Sequence, residues 1–82
     1  MTNQHASIAP LKNLIADSLQ QFFGQLDGAT PADLYELVLA QIEPPLLQSV
    51  MKFTEGNQSK AAIILGVSRS TLRKKLQQYQ LD

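Results

Sequence analysis

The chain has 82 residues, 44% of them apolar, with no cysteine and a formal net charge of zero. That length is one domain, which folded alone buries only about three-fifths of the surface of its unfolded chain. The lack of cysteine excludes disulfides, thiolate catalysis and cysteine-ligated zinc or iron–sulfur sites.

The N-terminus, Met1-Thr2-Asn3-Gln4-His5, has no basic and apolar signal-peptide organisation, and no apolar run approaches the roughly 20 residues of a membrane span. These features point to a cytosolic protein without a membrane partner. Residues 1–9 are polar and small without periodicity, and are expected to form a mobile tail. A first helix is signalled from Pro10, because proline suits a first turn and Leu11, Leu14, Ile15, Leu19, Phe22, Phe23 and Leu26 follow mostly at spacings of three and four. Gly28 is placed to end it as a left-handed cap, and Gly24 inside it suggests close packing against another backbone.

The second helix is predicted to open at Thr30-Pro31-Ala32-Asp33, with Thr30 as cap, Pro31 in the first position and Asp33 facing the positive end of the dipole. Its apolar stripe runs through Leu34, Leu37, Val38, Ile42, Leu46, Val50, Met51 and Phe53, widened by Leu39 and Leu47. Pro44-Pro45 interrupts this stripe, but the spacing resumes in phase, so one bent helix closed by Gly56 is expected. Two such apolar runs exceed what one small monomer needs, and a second subunit would supply the missing core. Residues 10–55 therefore read as a helical dimerisation core.

Residues 56–82 read as a separate functional segment. A short third helix is expected over Gln58–Leu65 with Asn57 as cap, ending at Gly66, and a fourth from a Ser68 cap through Arg69, Leu72, Leu76 and Tyr79. The zero net charge conceals a division between the two parts of the chain. Residues 1–51 set Lys12 against Asp17, Asp27, Asp33, Glu36 and Glu43, a net charge of −4. Residues 52–82 set Lys52, Lys60, Arg69, Arg73, Lys74 and Lys75 against Glu55 and Asp82, a net charge of +4. A basic end on an acidic body can orient itself on a polyanion.

Two short helices joined by Gly66-Val67-Ser68, with Ala62 four residues before the glycine and Leu72 six after it, form a helix-turn-helix pattern. Ala62 must be small where the helices cross, Gly66 supplies a positive φ, and Ile63, Val67 and Leu72 are expected to bury the corner. Arg69, Thr71, Arg73 and Lys74 then fall on or beside the exposed face of the second helix, whose N-terminal part enters a major groove. Arg69 and Arg73 carry planar forks suited to guanine or phosphate, and Ser68 and Thr71 can donate to phosphates. Lys75 completes a basic run with Arg73 and Lys74 and is expected to bind DNA with them. Asn57, Ser59 and Lys60 are placed to hold the sugar–phosphate backbone on the flank. His5 is the only histidine, and Asp33, Glu36 and Glu43 face no identifiable nucleophile, so an enzyme, a metal site and a cofactor are not expected. No phosphate-binding glycine loop is present in the sequence.

The segments Asp33-Leu34-Tyr35-Glu36-Leu37-Val38-Leu39, Pro45-Leu46-Leu47, Gly56-Asn57-Gln58-Ser59-Lys60-Ala61-Ala62 and Thr71-Leu72-Arg73-Lys74-Lys75-Leu76 together resemble the Fis family of bacterial nucleoid-associated proteins, from Pro10 to the C-terminus. The resemblance implies an all-α fold: a four-helix subunit with a C-terminal helix-turn-helix, in an intertwined homodimer formed through the first two helices. It implies paired recognition helices closer than one turn of B-DNA, hence DNA bending and shape readout of a narrow, A/T-rich minor groove. By resemblance, Arg69 is the main base contact, Thr71, Arg73 and Lys74 belong to the binding face, and Asn57, Ser59 and Lys60 contact the backbone. Double-stranded DNA and a second copy are the implied partners in the bacterial nucleoid, with RNA polymerase a candidate further partner.

The chain also departs from the family. Ser68 stands where well-studied members carry Asn, so the steric discrimination beside the recognition arginine does not transfer with it. Gln77 and Gln78 replace lysines and Glu55 replaces a basic residue, so flanking contacts and bending are expected to be weaker, and Pro44 is an added proline. Nine residues before Pro10 are too few for the β-hairpin arm that stimulates DNA inversion, and that activity is not carried over. Two other readings compete: the DNA-binding domain of a larger enhancer-dependent activator, against which Met1 and the family-length body argue, and a helical adaptor that contacts protein, against which the basic face argues.

Overall fold

The computed structural model of the protein describes residues 8–82, and among them four helices and no strand: α1 (Ala9–Gly24), α2 (Leu34–Phe53), α3 (Gln58–Leu65) and α4 (Arg69–Gln78). His5 and most of the expected N-terminal tail lie outside the described residues. The chain divides into two units at Ala32 and Asp33.

In the first unit, α1 begins with proline in its first turn, as the fixed φ of Pro10 favours. No side chain of this unit among those described is fully buried; Leu11, Leu14 and Phe23 are exposed, and Phe22 and Phe23 meet edge to face with ring centroids 5.7 Å apart. The helix stops at Gly24, earlier than the expected stop at Gly28. Gly24 is thus a terminal residue, and no close backbone approach within its own unit accounts for it. Gly28 does take a positive φ of 82°, but in the loop beyond, after Asp27 at 50°.

The second unit opens differently from the expectation at Thr30. Its first helical residue is Leu34, and Asp33 takes the cap position in the left-handed region (φ 56°) with no side-chain cap bond. Only the Asp33 carbonyl engages, accepting from the Leu37 amide at 3.1 Å. Aspartate is among the few residues that tolerate this backbone region, and a residue held there cannot belong to a right-handed first turn started at Pro31. From Leu34 the helix runs unbroken through Pro44 and Pro45 to Phe53, one helix as the in-phase spacing predicted.

The core of this unit is small and lies toward its C-terminal end. Leu47 from α2, Ala61 and Ala62 from α3, and Leu72 and Leu76 from α4 are buried together, with Val50, Met51, Leu65, Tyr79 and Leu81 packed around them. α3 contacts both α2 and α4, and its two alanines sit at the contacts. The expectation that Ile63 and Val67 bury the corner fails. Ile63 is 79% exposed and Val67 is also exposed, because the side of α3 between its neighbours is that of Ala61 and Ala62.

Each of α2, α3 and α4 ends in the same backbone device. The amides of Gly56, Val67 and Leu81 reach back five residues to the carbonyls of Met51, Ala62 and Leu76, and those of Glu55, Gly66 and Gln80 reach back three. This is the Schellman pattern, and it requires a left-handed residue just past the helix. Gly66 (φ 74°) meets that requirement without a side chain, whereas Glu55 (54°) and Gln80 (56°) meet it with one.

Candidate nucleic-acid interface

The corner between α3 and α4 is fixed by local chemistry at both sides of Gly66. Asn57 is extended and its Oδ1 accepts from the Lys60 amide at 3.0 Å, satisfying a free donor of the first turn of α3. Past the left-handed Gly66, Ser68 is again extended, and its Oγ accepts from the Thr71 amide at 3.1 Å. The same hydroxyl donates to Thr71 Oγ1 at 2.9 Å and lies 3.2 Å from Ser70 Oγ. One proton and two lone pairs are thereby engaged, so the Ser68 side chain works as a cap rather than as a free donor.

α4 is amphipathic about this anchor. Leu72 and Leu76 are sealed in the core, while Arg69, Ser70, Arg73, Lys74 and Gln77 are exposed, the last four lining one shallow groove. Thr71 is half-buried at the edge of that face. Asn57, Ser59 and Lys60 lie exposed at the start of α3, so the flanking residues named from the sequence do gather at one helix end. Among the described residues the only ion pair is Lys75–Glu43, which leaves Lys60, Arg69, Arg73 and Lys74 uncompensated.

Lys75 differs from its neighbours. Its Nζ lies 2.9 Å from Glu43 Oε2, and Tyr79 donates its hydroxyl proton to Glu43 Oε1 at 2.5 Å, so α2 and α4 are tied at one carboxylate. The hydrogen bond from Tyr79, and after it that from Lys75, holds the Glu43 carboxyl below its ordinary pKa against the opposing effect of desolvation. The same bond raises the Tyr79 hydroxyl above its ordinary value, because the carboxylate favours the proton-donating form. Glu43, Tyr79 and the groove residue Ser70 were not singled out as site residues from the sequence. Ser70, Arg73, Lys74 and Gln77 do fall at offsets of three, four and seven, a signal available in advance; the bond between Glu43 and Tyr79, 36 residues apart, has none.

Among the described residues no cluster of His, Asp and Glu could hold a metal ion, and no helix is long and apolar enough to cross a membrane. Residues 38–79, which contain α3, α4 and every buried residue described, match a family model whose description is "Bacterial regulatory protein, Fis family". The chain is similar to the proteins named DNA-binding protein Fis from Yersinia enterocolitica serotype O:8, Enterobacter sp. strain 638 and Pectobacterium carotovorum. Each is 49% identical over 73 residues, which cover 89% of this chain and 74% of the relative.

Proposed function

The chain belongs to the Fis family of bacterial regulatory proteins, and we propose from that premise that it binds duplex DNA as a homodimer, with α4 of each subunit in the major groove. The observation that carries this reading is a helix capped at its start by Ser68, buried along Leu72 and Leu76, and exposing Arg69, Arg73 and Lys74 with no ion-pair partner among the described residues. Uncompensated cations around a helix start are the electrostatic footprint of a phosphate surface. Arg69, first in the helix, is assigned base contact; Lys60, Arg73 and Lys74 neutralise phosphates; Thr71, Asn57 and Ser59 hydrogen-bond the backbone. Ser68 contributes by fixing the helix start.

The homodimer is supported by apolar side chains that each unit leaves uncovered by its own residues: Leu11, Leu14 and Phe23 in α1 of the first, and Tyr35, Leu37 and Leu46 in α2 of the second. Apolar surface on that scale marks an association site in a small protein. A two-fold dimer presents its pair of recognition helices symmetrically, and with helices closer than a B-DNA turn the DNA would bend and A/T-rich centres would be favoured by shape. Regulation of transcription and organisation of the nucleoid, in the cytoplasm, follow as the roles of such a DNA-bending protein.

A salt titration of binding to a labelled duplex tests the reading. With three phosphates neutralised per subunit, log K should fall against log[salt] with a slope of about −5. A flat response would favour a protein-contacting adaptor instead. Arg69→Ala is expected to remove site preference, and Lys74→Ala to weaken binding to all duplexes alike.

A further inference from the structure

We propose that Glu43 is a positioning residue for DNA binding: its carboxylate holds Lys75 and Tyr79 against α2, so that Lys75 serves the orientation of α4 and is withheld from the phosphates. The inference rests on the DNA-binding reading above and divides the basic run Arg73-Lys74-Lys75 into two kinds of charge.

The geometry carries the division. At about 100° per residue, Lys75 and Tyr79 share an edge of α4 beside the buried Leu72 and Leu76, while Arg73 and Lys74 flank the groove with Ser70 and Gln77. Both Glu43 oxygens are engaged, one by the Tyr79 hydroxyl and one by the Lys75 ammonium. The pair stands at the rim of an apolar hollow lined by Leu46, Leu47, Leu65, Val67 and Leu72, where the carboxylate side chain keeps only 19% of its exposure and Lys75 36%. Solvent and salt screen such a pair less than a fully exposed one.

The corner at Gly66 fixes the start of α4, and Leu72 and Leu76 seat its apolar side in the core. Glu43 fixes its other end, some ten residues further on, roughly 15 Å away along the axis. This polar anchor on α2 adds to the apolar contacts and sharpens the direction of the helix axis. The direction in which Arg69 meets a base edge therefore depends on a residue that touches no DNA.

Three variants of the full chain test this, each checked for helix content by circular dichroism before titration by fluorescence anisotropy. Lys74→Met should flatten the salt slope of the dimer by about 2, one phosphate lost per subunit, and Lys75→Met should leave the slope as in the parent. Glu43→Gln should reduce the ratio of specific to non-specific affinity by about tenfold, the scale of one lost charge-assisted hydrogen bond, with non-specific affinity nearly unchanged. Lys75→Arg, which keeps a cation on the carboxylate, should retain the parent's site preference. The proposal is overturned if Lys75→Met flattens the slope as Lys74→Met does, or if Glu43→Gln weakens binding to every duplex equally, the mark of a merely structural role. Should Glu43→Gln fail to fold, the Lys75→Met slope still decides. A flat slope in the parent protein would remove the DNA-binding reading itself.

Discussion

The chain's two apolar parts have opposite fates. From Leu47 to Leu81 a few side chains, two of them alanines, are buried within one subunit, and the cations stand outside beside a few exposed apolar side chains, Phe53 and Ile63 above all. In α1, and along α2 before Leu47, larger side chains follow helical spacing just as well, yet none of those described is buried. The contrast separates two uses of hydrophobic patterning: one completes a fold inside a chain, and the other, on the homodimer proposed above, is surface held for association.

The sharpest way to break that contrast is to truncate one leucine from each part. Leu72→Ala removes a fully buried side chain and is expected to cost about 2–5 kcal/mol in denaturant unfolding. Leu14, 63% exposed in the subunit, should behave differently: Leu14→Ala is expected to act on the dimer dissociation constant, read by analytical ultracentrifugation, more than on unfolding at concentrations where the dimer is saturated. Equal effects on unfolding with no change in association would erase the distinction.

Next in size is the corner. Gly66→Ala meets no atom within 4 Å, so its cost comes from the backbone alone, and the left-handed φ of 74° sets it at about 1–2 kcal/mol. The complementary change is Glu55→Gly, which relieves a side chain held at φ 54° and is expected to stabilise by about 0.5–1 kcal/mol. Thermal unfolding of the two variants should move in opposite directions; a shared direction would mean that the left-handed geometry is not what matters there.

The smallest expected effect is on acid stability. Glu43 titrates lower in the folded chain than unfolded, so its contribution is fully present above its ordinary value of 4.5 and is lost as pH falls through the depressed folded value. Tyr79 titrates higher when folded, so its contribution is present below its ordinary value of 10.0 and fades as pH rises through the raised one. Tyr79→Phe is expected to reduce both slopes of unfolding free energy against pH; an unaltered acid limb would show that Glu43 is held by Lys75 alone.

What could be read in advance was local. The caps at Asn57 and Ser68, both boundaries of α3 and the left-handed Gly66 depend on hydrogen bonds spanning a few residues, and they stand where side-chain chemistry placed them. The start of α2 misled because Thr30-Pro31-Ala32-Asp33 carries every mark of a helix entry, yet Asp33 adopts a left-handed backbone that a right-handed first turn excludes. In an eight-residue helix the spacing cannot say how far the inward face extends, so Ile63 is expected inside together with the small Ala62. The small pair Ala61-Ala62 is inside because two other helices approach α3 on that side. For the candidate site, the exposed cations were visible in the sequence, but the different standing of Lys75 was not, since its partner comes from another helix.

The alanine contacts at positions 61 and 62 have a mechanical consequence. With alanine methyl groups at the crossing and Leu72 and Leu76 packed against them, α3 and α4 approach closely, and close-packed contacts of this kind resist a change of mutual angle. On the DNA-binding reading proposed above, a reading head this closely packed would leave deformation to the duplex, and sequences that yield easily would be occupied first.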